Sequence, residues 1–266
     1  MKSCLNNTLN RWKPQRQRDK NDVSLMTVTN KVRQLLNKVT QQTLDQIVQE
    51  LLTYDFNSNE DNLKQVAKLF LEKCINEPEY CALYTKVIKK FFQHNGIIGA
   101  KIKFLILSEA QELFNEDINP DNHQCVDPNQ NGPVGLEENP KDVLLADEQD
   151  RLRRRSLGLY VFLANLFLIE FLSRKIVESV FVGVLGTMEN KNIYDEKHWI
   201  LTGFQVLKTL GKESYYWMRL LPLEMALEKH KMKMKLKRNF RLQFAIDDAL
   251  DLMKRDFAPR DSAIIV

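Results

Sequence analysis

The stretch that decides the fold is SLGLYVFLANLFLI, from Ser156 to Ile169. It is the most apolar run of the chain, and Arg155 and Glu170 place a charge at each end of it. A helix that crosses a bilayer needs about 20 consecutive apolar residues, and this run is shorter. We therefore predict a helix buried in a protein core and not a membrane span.

Apolar residues on both sides of this run recur with the period of a helix. Val32, Leu35, Leu36 and Val39 fall at positions i, i+3, i+4 and i+7, which places them on one helical face. The alternating segment KMKMKLK (231–237) would be an isolated strand in this context, so we interpret it as a helix or as a joint between two helices. The same reasoning predicts helices near 44–52, 63–74, 80–91, 98–114, 141–172, 174–188, 196–210, 213–234 and 236–255.

This pattern predicts an all-α protein built from stacked helical hairpins, an α-solenoid. Hairpins of this kind bury a continuous core only by stacking on their neighbours. The chain has only 9 Gly and 8 Pro, which disfavours a turn-rich β architecture. Gly211 and Pro222 are the predicted breaks in the later helices.

We predict one domain over residues 28–256, between a flexible basic arm (1–27) and a short tail (257–266). The segment 115–150 is acidic and contains four prolines, so we predict a long acidic loop there. The Arg cluster that follows this loop could be screened by it. Deleting 116–140 would then raise RNA affinity at low salt, where charges are least screened.

Catalytic and metal-binding signatures are absent from the sequence. It contains no GxSxG, GxxxxGK[ST], HExxH or CxxC motif, and His123 and Cys125 have no second ligand pair at zinc-like spacing. We therefore expect no enzymatic activity, no cofactor and no metal. The cysteines form no disulfide framework and the N-terminus has no apolar signal core, which favours a reducing compartment, the cytoplasm or the nucleus.

Two basic clusters lie inside the predicted domain. RLRRR begins at Arg151, and KHKMKMKLKR begins at Lys229. Each could contact phosphates without reading sequence, or it could be an ordinary solvated helix face. The candidate RNA-binding residues are Arg153, Arg154, Arg155, Lys233, Lys235, Lys237 and Arg238.

Trp12 is a large aromatic residue in the basic arm, within RWKPQRQR (11–18). Single exposed aromatic residues are common and need no function. Alternatively the arm folds onto a partner with Trp12 as its anchor, because aromatic and Arg side chains dominate interface energetics.

Five segments, in order along the chain, resemble the middle domain of eukaryotic translation initiation factor 4 gamma. The resemblance covers nearly the whole chain and implies about five antiparallel HEAT-like helix pairs. These segments are KVRQLLNKVT (31–40), LEKCINEPEYCALYTKVIKKF (71–91), RRRSLGLYVFLANLFLIEFLS (153–173), TLGKE (209–213) and FRLQFAIDDALDLMKRDFAPR (240–260).

The resemblance also implies a function, which is non-enzymatic. The family binds the DEAD-box RNA helicase of the cap-binding complex through both helicase lobes, and it binds RNA. Other initiation factors are further possible partners. The candidate helicase-binding residues are Trp12, Lys13 and Pro14 in the arm, Arg33, Leu36, Val39 and Leu44 in the first hairpin, and Arg241, Phe244, Asp248 and Arg260 near the end. The four apolar residues of the two hairpins could instead belong to the core.

The sequence also departs from the family pattern. Leu44 replaces an aromatic residue, and Glu170 replaces a Lys, which lowers the positive charge on that face. Two alternatives to the initiation scaffold stay open. One is a truncated paralogue that competes with or regulates translation, and the other is a related HEAT adaptor in mRNA decay.

Overall fold

The computed structural model describes residues 20–56, 60–117, 140–180, 196–218, 227–232, 235 and 240–258, and within them it contains helices and no strand. The all-α prediction is confirmed. None of the helices in these ranges is both long and apolar enough to cross a membrane. The helices are α1 (Lys20–Leu36), α2 (Leu44–Leu52), α3 (Glu60–Asn76), α4 (Cys81–His94), α5 (Gly96–Asp117), α6 (Pro140–Leu168), α7 (174–180), α8 (Glu196–Met218), α9 (227–232) and α10 (Phe240–Lys254).

Some helix boundaries differ from the sequence prediction. Helix α1 begins at Lys20, so residues 20–27 are helical although we assigned them to the flexible arm. Both ends of the predicted acidic loop are also helical, because α5 continues to Asp117 and α6 begins at Pro140. Residues 118–139 of that loop lie outside the described residues. Pro140 suits the first turn of a helix, where a missing N–H costs no hydrogen bond.

The helices stack in chain order. Helix α1 packs on α3, α2 packs on α4, and α3 also contacts α5 and α6. Helix α6 then contacts α8, and α8 contacts α10. One hydrophobic core therefore runs through the described helices, from Val32 on α1 to Met253 on α10, as expected for stacked helical hairpins.

Gly158, within SLGLYVFLANLFLI (156–169), sets the distance between α6 and α3. A Cβ atom built at this position would lie 1.9 Å from the carbonyl oxygen of Ile75. Only a residue without a side chain allows so close an approach. The flanking Leu159, Tyr160, Val161 and Phe162 are all buried, so the predicted buried helix is confirmed.

Gly211 interrupts α8 at the predicted position. Its φ of 66° and ψ of −170° are not helical, and a positive φ of this size favours glycine. The residues on both sides of it are helical. The TLGKE segment therefore marks a change in helix direction.

Helix α6 ends in a Schellman motif centred on Glu170, whose φ is 66°. The amide of Phe171 donates to the carbonyl of Leu166 at 2.9 Å, and the amide of Glu170 donates to Phe167 at 2.8 Å, which is the pattern of that motif. The turn brings Phe171 edge-on to Phe92 of α4, with ring centroids 5.5 Å apart. The end of the central helix is thus fixed against the neighbouring hairpin.

Candidate functional site

Several predicted site residues lie outside the described residues. They are Trp12, Lys13 and Pro14 in the arm, Lys233, Lys237 and Arg238 in the second basic cluster, and Arg260 in the tail. Their roles stay predictions. The remaining candidates fall into three places: the first hairpin, the start of α6 and the outer face of α10.

The apolar candidates in the first hairpin are core residues. Leu36, Val39 and Leu44 are only 1%, 7% and 3% exposed. Leu36 and Leu44 line the interior because α1 and α2 turn their apolar stripes towards α3 and α4, and Val39 is buried in the turn between the two helices. Their burial agrees with the alternative that these three residues belong to the core, and their role in partner binding stays a prediction. Arg33 is exposed and remains available.

The turn between α1 and α2 is fixed by two threonines. The amide of Thr40 donates to the Thr43 hydroxyl at 2.9 Å, and the amide of Thr43 donates to the Thr40 hydroxyl at 3.1 Å. Thr43 also donates to the carbonyl of Lys38 at 2.8 Å. This turn shapes a groove of about 550 Å³ between the two helices, whose lining includes Lys31, Lys38, Gln46, Glu50 and Tyr54.

The outer face of α10 carries two exposed phenylalanines. Phe240 is 61% exposed and Phe244 is 66% exposed. They stand one helical turn apart, with Arg241 and Asp248 beside them on the solvent side. The alternative that Phe244 belongs to the core is wrong. The predicted contact residues on this helix were Arg241, Phe244 and Asp248, and Phe240 was not among them.

Ion pairs hold α10 in place from its other sides. Lys231 of α9 pairs with Asp247, and Lys212 of α8 pairs with Asp256 just beyond the helix. Arg255 bonds to Asp251 at 2.9 Å and to the carbonyl of Ala258 at 2.8 Å. The exposed phenylalanine face thus belongs to a helix with surface ion pairs to α8 and α9.

The three predicted arginines at the start of α6 are not equivalent. Arg153 is half-buried and donates to Asp150 at 3.0 Å. Arg154 and Arg155 are exposed, and neither forms an ion pair with any residue that the structure describes. Together with Arg151, which was not selected, these two line a cavity of about 900 Å³. In the second cluster, Lys235 is exposed.

A buried polar cluster joins α5, α6 and α8. The Ser156 hydroxyl donates to Asp117 at 2.9 Å, and the His198 Nε2 atom lies 3.2 Å from the same hydroxyl. Thr202 lies 3.5 Å from that nitrogen. All four residues are nearly inaccessible to solvent. Buried polar groups are stable only when hydrogen-bonded, so this cluster connects the helices at the point where α5 meets the acidic segment.

The turn between α3 and α4 is held by Glu77. This carboxylate accepts a hydrogen bond from Lys73 at 2.5 Å and a second from the Tyr84 hydroxyl. Burial opposes its ionisation, but the two hydrogen bonds and the charge of Lys73 outweigh that effect, so the pKa of Glu77 lies below its ordinary value. The pKa of Tyr84 is raised, first by burial and then by Glu77.

The chain matches known proteins over most of its length. The MIF4G domain family matches residues 29–252. The chain is 24% identical over 96% of its length to mouse "Eukaryotic translation initiation factor 4 gamma 1" and 26% identical over 91% to human "Eukaryotic translation initiation factor 4 gamma 3". It spans only 17% and 16% of those relatives.

A solved structure supports the fold. The MIF4G domain of Trypanosoma cruzi translation initiation factor EIF4G5 superposes with a TM-score of 0.57, at 18% identity, over 87% of this chain and 97% of that one. At this identity the likeness concerns the fold alone, and the predicted HEAT-like α-solenoid is confirmed. Since the family match covers most of the chain, the chain belongs to the MIF4G domain family.

Proposed function

We propose that this chain is a translation-initiation scaffold module that binds the DEAD-box RNA helicase of the cap-binding complex and contacts mRNA. Membership of the MIF4G family and the initiation-factor relatives support the class of function. On this proposal the chain acts in the cytoplasm, without enzymatic activity, and other initiation factors are further partners.

The observation that carries the helicase contact is the exposed face of α10. Phe240 and Phe244 are 61% and 66% exposed on one face of α10, next to the exposed Arg241 and Asp248. Aromatic residues flanked by Arg are typical centres of protein interfaces. This face would engage one helicase lobe, while the arm with Trp12 and the exposed Arg33 would engage the other.

Such a scaffold acts by selecting a helicase conformation. A helicase with two hinged lobes populates several lobe arrangements. The scaffold shifts these populations only if it binds one arrangement more tightly than the others. A stack of helices with contacts near both ends meets this requirement, because it fixes the distance between the two contacts. The chain itself needs no catalytic group for this function.

The proposed RNA contact rests on basic side chains that pair with no carboxylate among the described residues. Arg154, Arg155 and Lys235 are exposed and form no ion pair with the described residues. Contacts of this kind give salt-dependent affinity without sequence specificity. Arg153 contributes less, because Asp150 already occupies its guanidinium.

The test is a titration of the purified initiation helicase with the wild-type chain and with Trp12→Ala. We expect the substitution to weaken binding by tenfold or more, which is about 1.4 kcal/mol, with an unchanged circular dichroism spectrum. If the wild-type chain does not bind the helicase, the proposal is wrong. An adaptor role in mRNA decay would then be the better account.

A further inference from the structure

The cavity beside the Arg cluster forms where α6 extends beyond α3. The two helices touch at Gly158 and Ile75, and α3 ends one residue later at Asn76. The earlier residues of α6 continue past that end and leave a space of about 900 Å³. Ligand cavities in proteins have volumes of about 300–1,000 Å³, so this space is large enough for a nucleotide.

The walls of this cavity differ in chemistry. Pro78, at the α3–α4 turn, and Leu157, on α6, are half-buried and form the accessible apolar surface, whereas Ile75 is buried. Arg151, Arg154 and Arg155 also line the cavity, and their i, i+3, i+4 spacing places them on one side of the helix. Arg151 forms an ion pair with Glu148 at 3.3 Å. Arg154 and Arg155 are therefore the cations available to a ligand.

Two carboxylates line the same cavity, Asp147 and Asp150. Asp150 is bonded to Arg153, whereas Asp147 is exposed and has no hydrogen bond or ion pair among the described residues. An acidic peptide would meet these carboxylates as well as the arginines. A nucleotide instead offers a phosphate for Arg and, on an amino-bearing base, a donor for Asp.

We propose that this cavity binds one unpaired, amino-bearing nucleotide of single-stranded RNA. Arg154 and Arg155 hold its phosphate, the base lies on Pro78 and Leu157, and Asp147 accepts a hydrogen bond from the exocyclic amino group. The proposal rests on the RNA contact proposed above. It agrees with the general physics of RNA recognition, in which unstacked bases of single strands enter protein pockets.

The experiment is fluorescence anisotropy with labelled RNA oligomers and the full 266-residue chain. We expect oligocytidylate to bind more tightly than oligouridylate, and an abasic oligomer of equal length to bind about tenfold more weakly than oligocytidylate, since one stacked base contributes that order of affinity. Asp147→Asn should reduce the preference for cytosine over uracil while leaving oligouridylate affinity unchanged.

The double variant Arg154→Ala/Arg155→Ala tests the phosphate contact. We expect about tenfold weaker binding at low salt and a log–log salt slope that is shallower by about 1.4, the value for two lost contacts to a single strand. Lys175→Ala is the matched control. It removes an exposed cation from α7 and should change affinity less than twofold.

The outcomes separate this inference from the proposed RNA contact. If the wild-type chain binds no RNA, both are overturned. If it binds RNA but does not distinguish the abasic oligomer, the cavity inference fails and the RNA contact lies elsewhere. This comparison uses only the wild-type chain, so it does not depend on the folding of a variant. Polyglutamate that competes as strongly as oligocytidylate would assign the cavity to acidic peptides and overturn the inference.

Discussion

Two single residues determine how neighbouring helices of this domain meet. Gly158, within the Ser-Leu-Gly segment, lets α6 approach the backbone of α3. Glu77, within the Glu-Pro segment, ties the α3–α4 turn to Lys73 and Tyr84. The sequence motif indicated family membership, but it could not reveal these contacts, because each joins parts of the chain whose spacing depends on the fold.

We predict that Gly158→Ala destabilises the domain. Its new methyl group would overlap the carbonyl oxygen of Ile75, and overpacking of a core costs about 1–3 kcal/mol. Urea unfolding followed by circular dichroism measures the change. Gly96→Ala is the matched control, because a Cβ atom added there would have no neighbour within 4 Å and its φ is not positive. Equal stability of Gly158→Ala and wild type would contradict the account.

We predict that Glu77 makes part of the stability dependent on pH. The pKa of Glu77 is lower in the folded state than in the unfolded chain, where it is about 4.3. The ionised carboxylate therefore stabilises the fold at pH values above the unfolded-state pKa, and this stabilisation is lost as pH falls through the folded-state pKa. Glu77→Gln should therefore be less stable than wild type at pH 7, with a smaller difference at pH 3. Urea midpoints at both pH values measure this.

The control for that comparison is Glu79→Gln, which changes an exposed neighbour with no hydrogen bond or ion pair among the described residues. Its effect on the midpoint should be small at both pH values. A Glu77→Gln variant that loses the same stability at pH 3 as at pH 7 would show that the carboxylate charge is not the cause.

Individual helices show how much of the site the sequence could predict. The periodic stripes located the helices, and Gly211 located the break in α8. The same apolar stripes also predict which residues of a helix are exposed. In α10 the buried residues Leu242, Ile246, Ala249, Leu250 and Met253 share one face, so Phe244, two positions after Leu242, had to point away from the core. Leu36 belongs to the buried stripe of α1 by the same argument.

We predict that Phe244→Ala weakens helicase binding by tenfold or more and leaves stability almost unchanged, because its side chain is 66% exposed. Phe104→Ala is the matched control. This residue on α5 is also a phenylalanine and is 70% exposed, but it lies outside the proposed interface. Titration against the helicase compares the two. Equal effects of both substitutions would argue against a specific contact at α10.

We predict the opposite behaviour for Leu36→Ala. Its side chain is 1% exposed, and removing a buried leucine costs about 2–5 kcal/mol. Any loss of helicase binding should therefore accompany a lower urea midpoint. A stable Leu36→Ala variant with selectively weakened binding would restore Leu36 as a contact residue.

The whole molecule is a stack in which the proposed helicase contacts lie near both ends of the chain. Helices α1 and α2 pack mainly on α3 and α4, whereas α10 packs mainly on α8. The class of fold followed from the helical period and from the short connections. The arrangement of basic residues around the α6 cavity could not be predicted from this period, because it depends on how far α6 extends beyond α3.

The central claim is that this stack holds the two lobes of the helicase in one arrangement. The most direct measurement is the inter-lobe distance in a helicase labelled on both lobes, by single-molecule energy transfer, with increasing amounts of the chain. We predict a new, narrower distance population with the wild-type chain and its loss with Trp12→Ala or Phe244→Ala. A distance distribution that does not change at saturating wild-type chain would contradict the account.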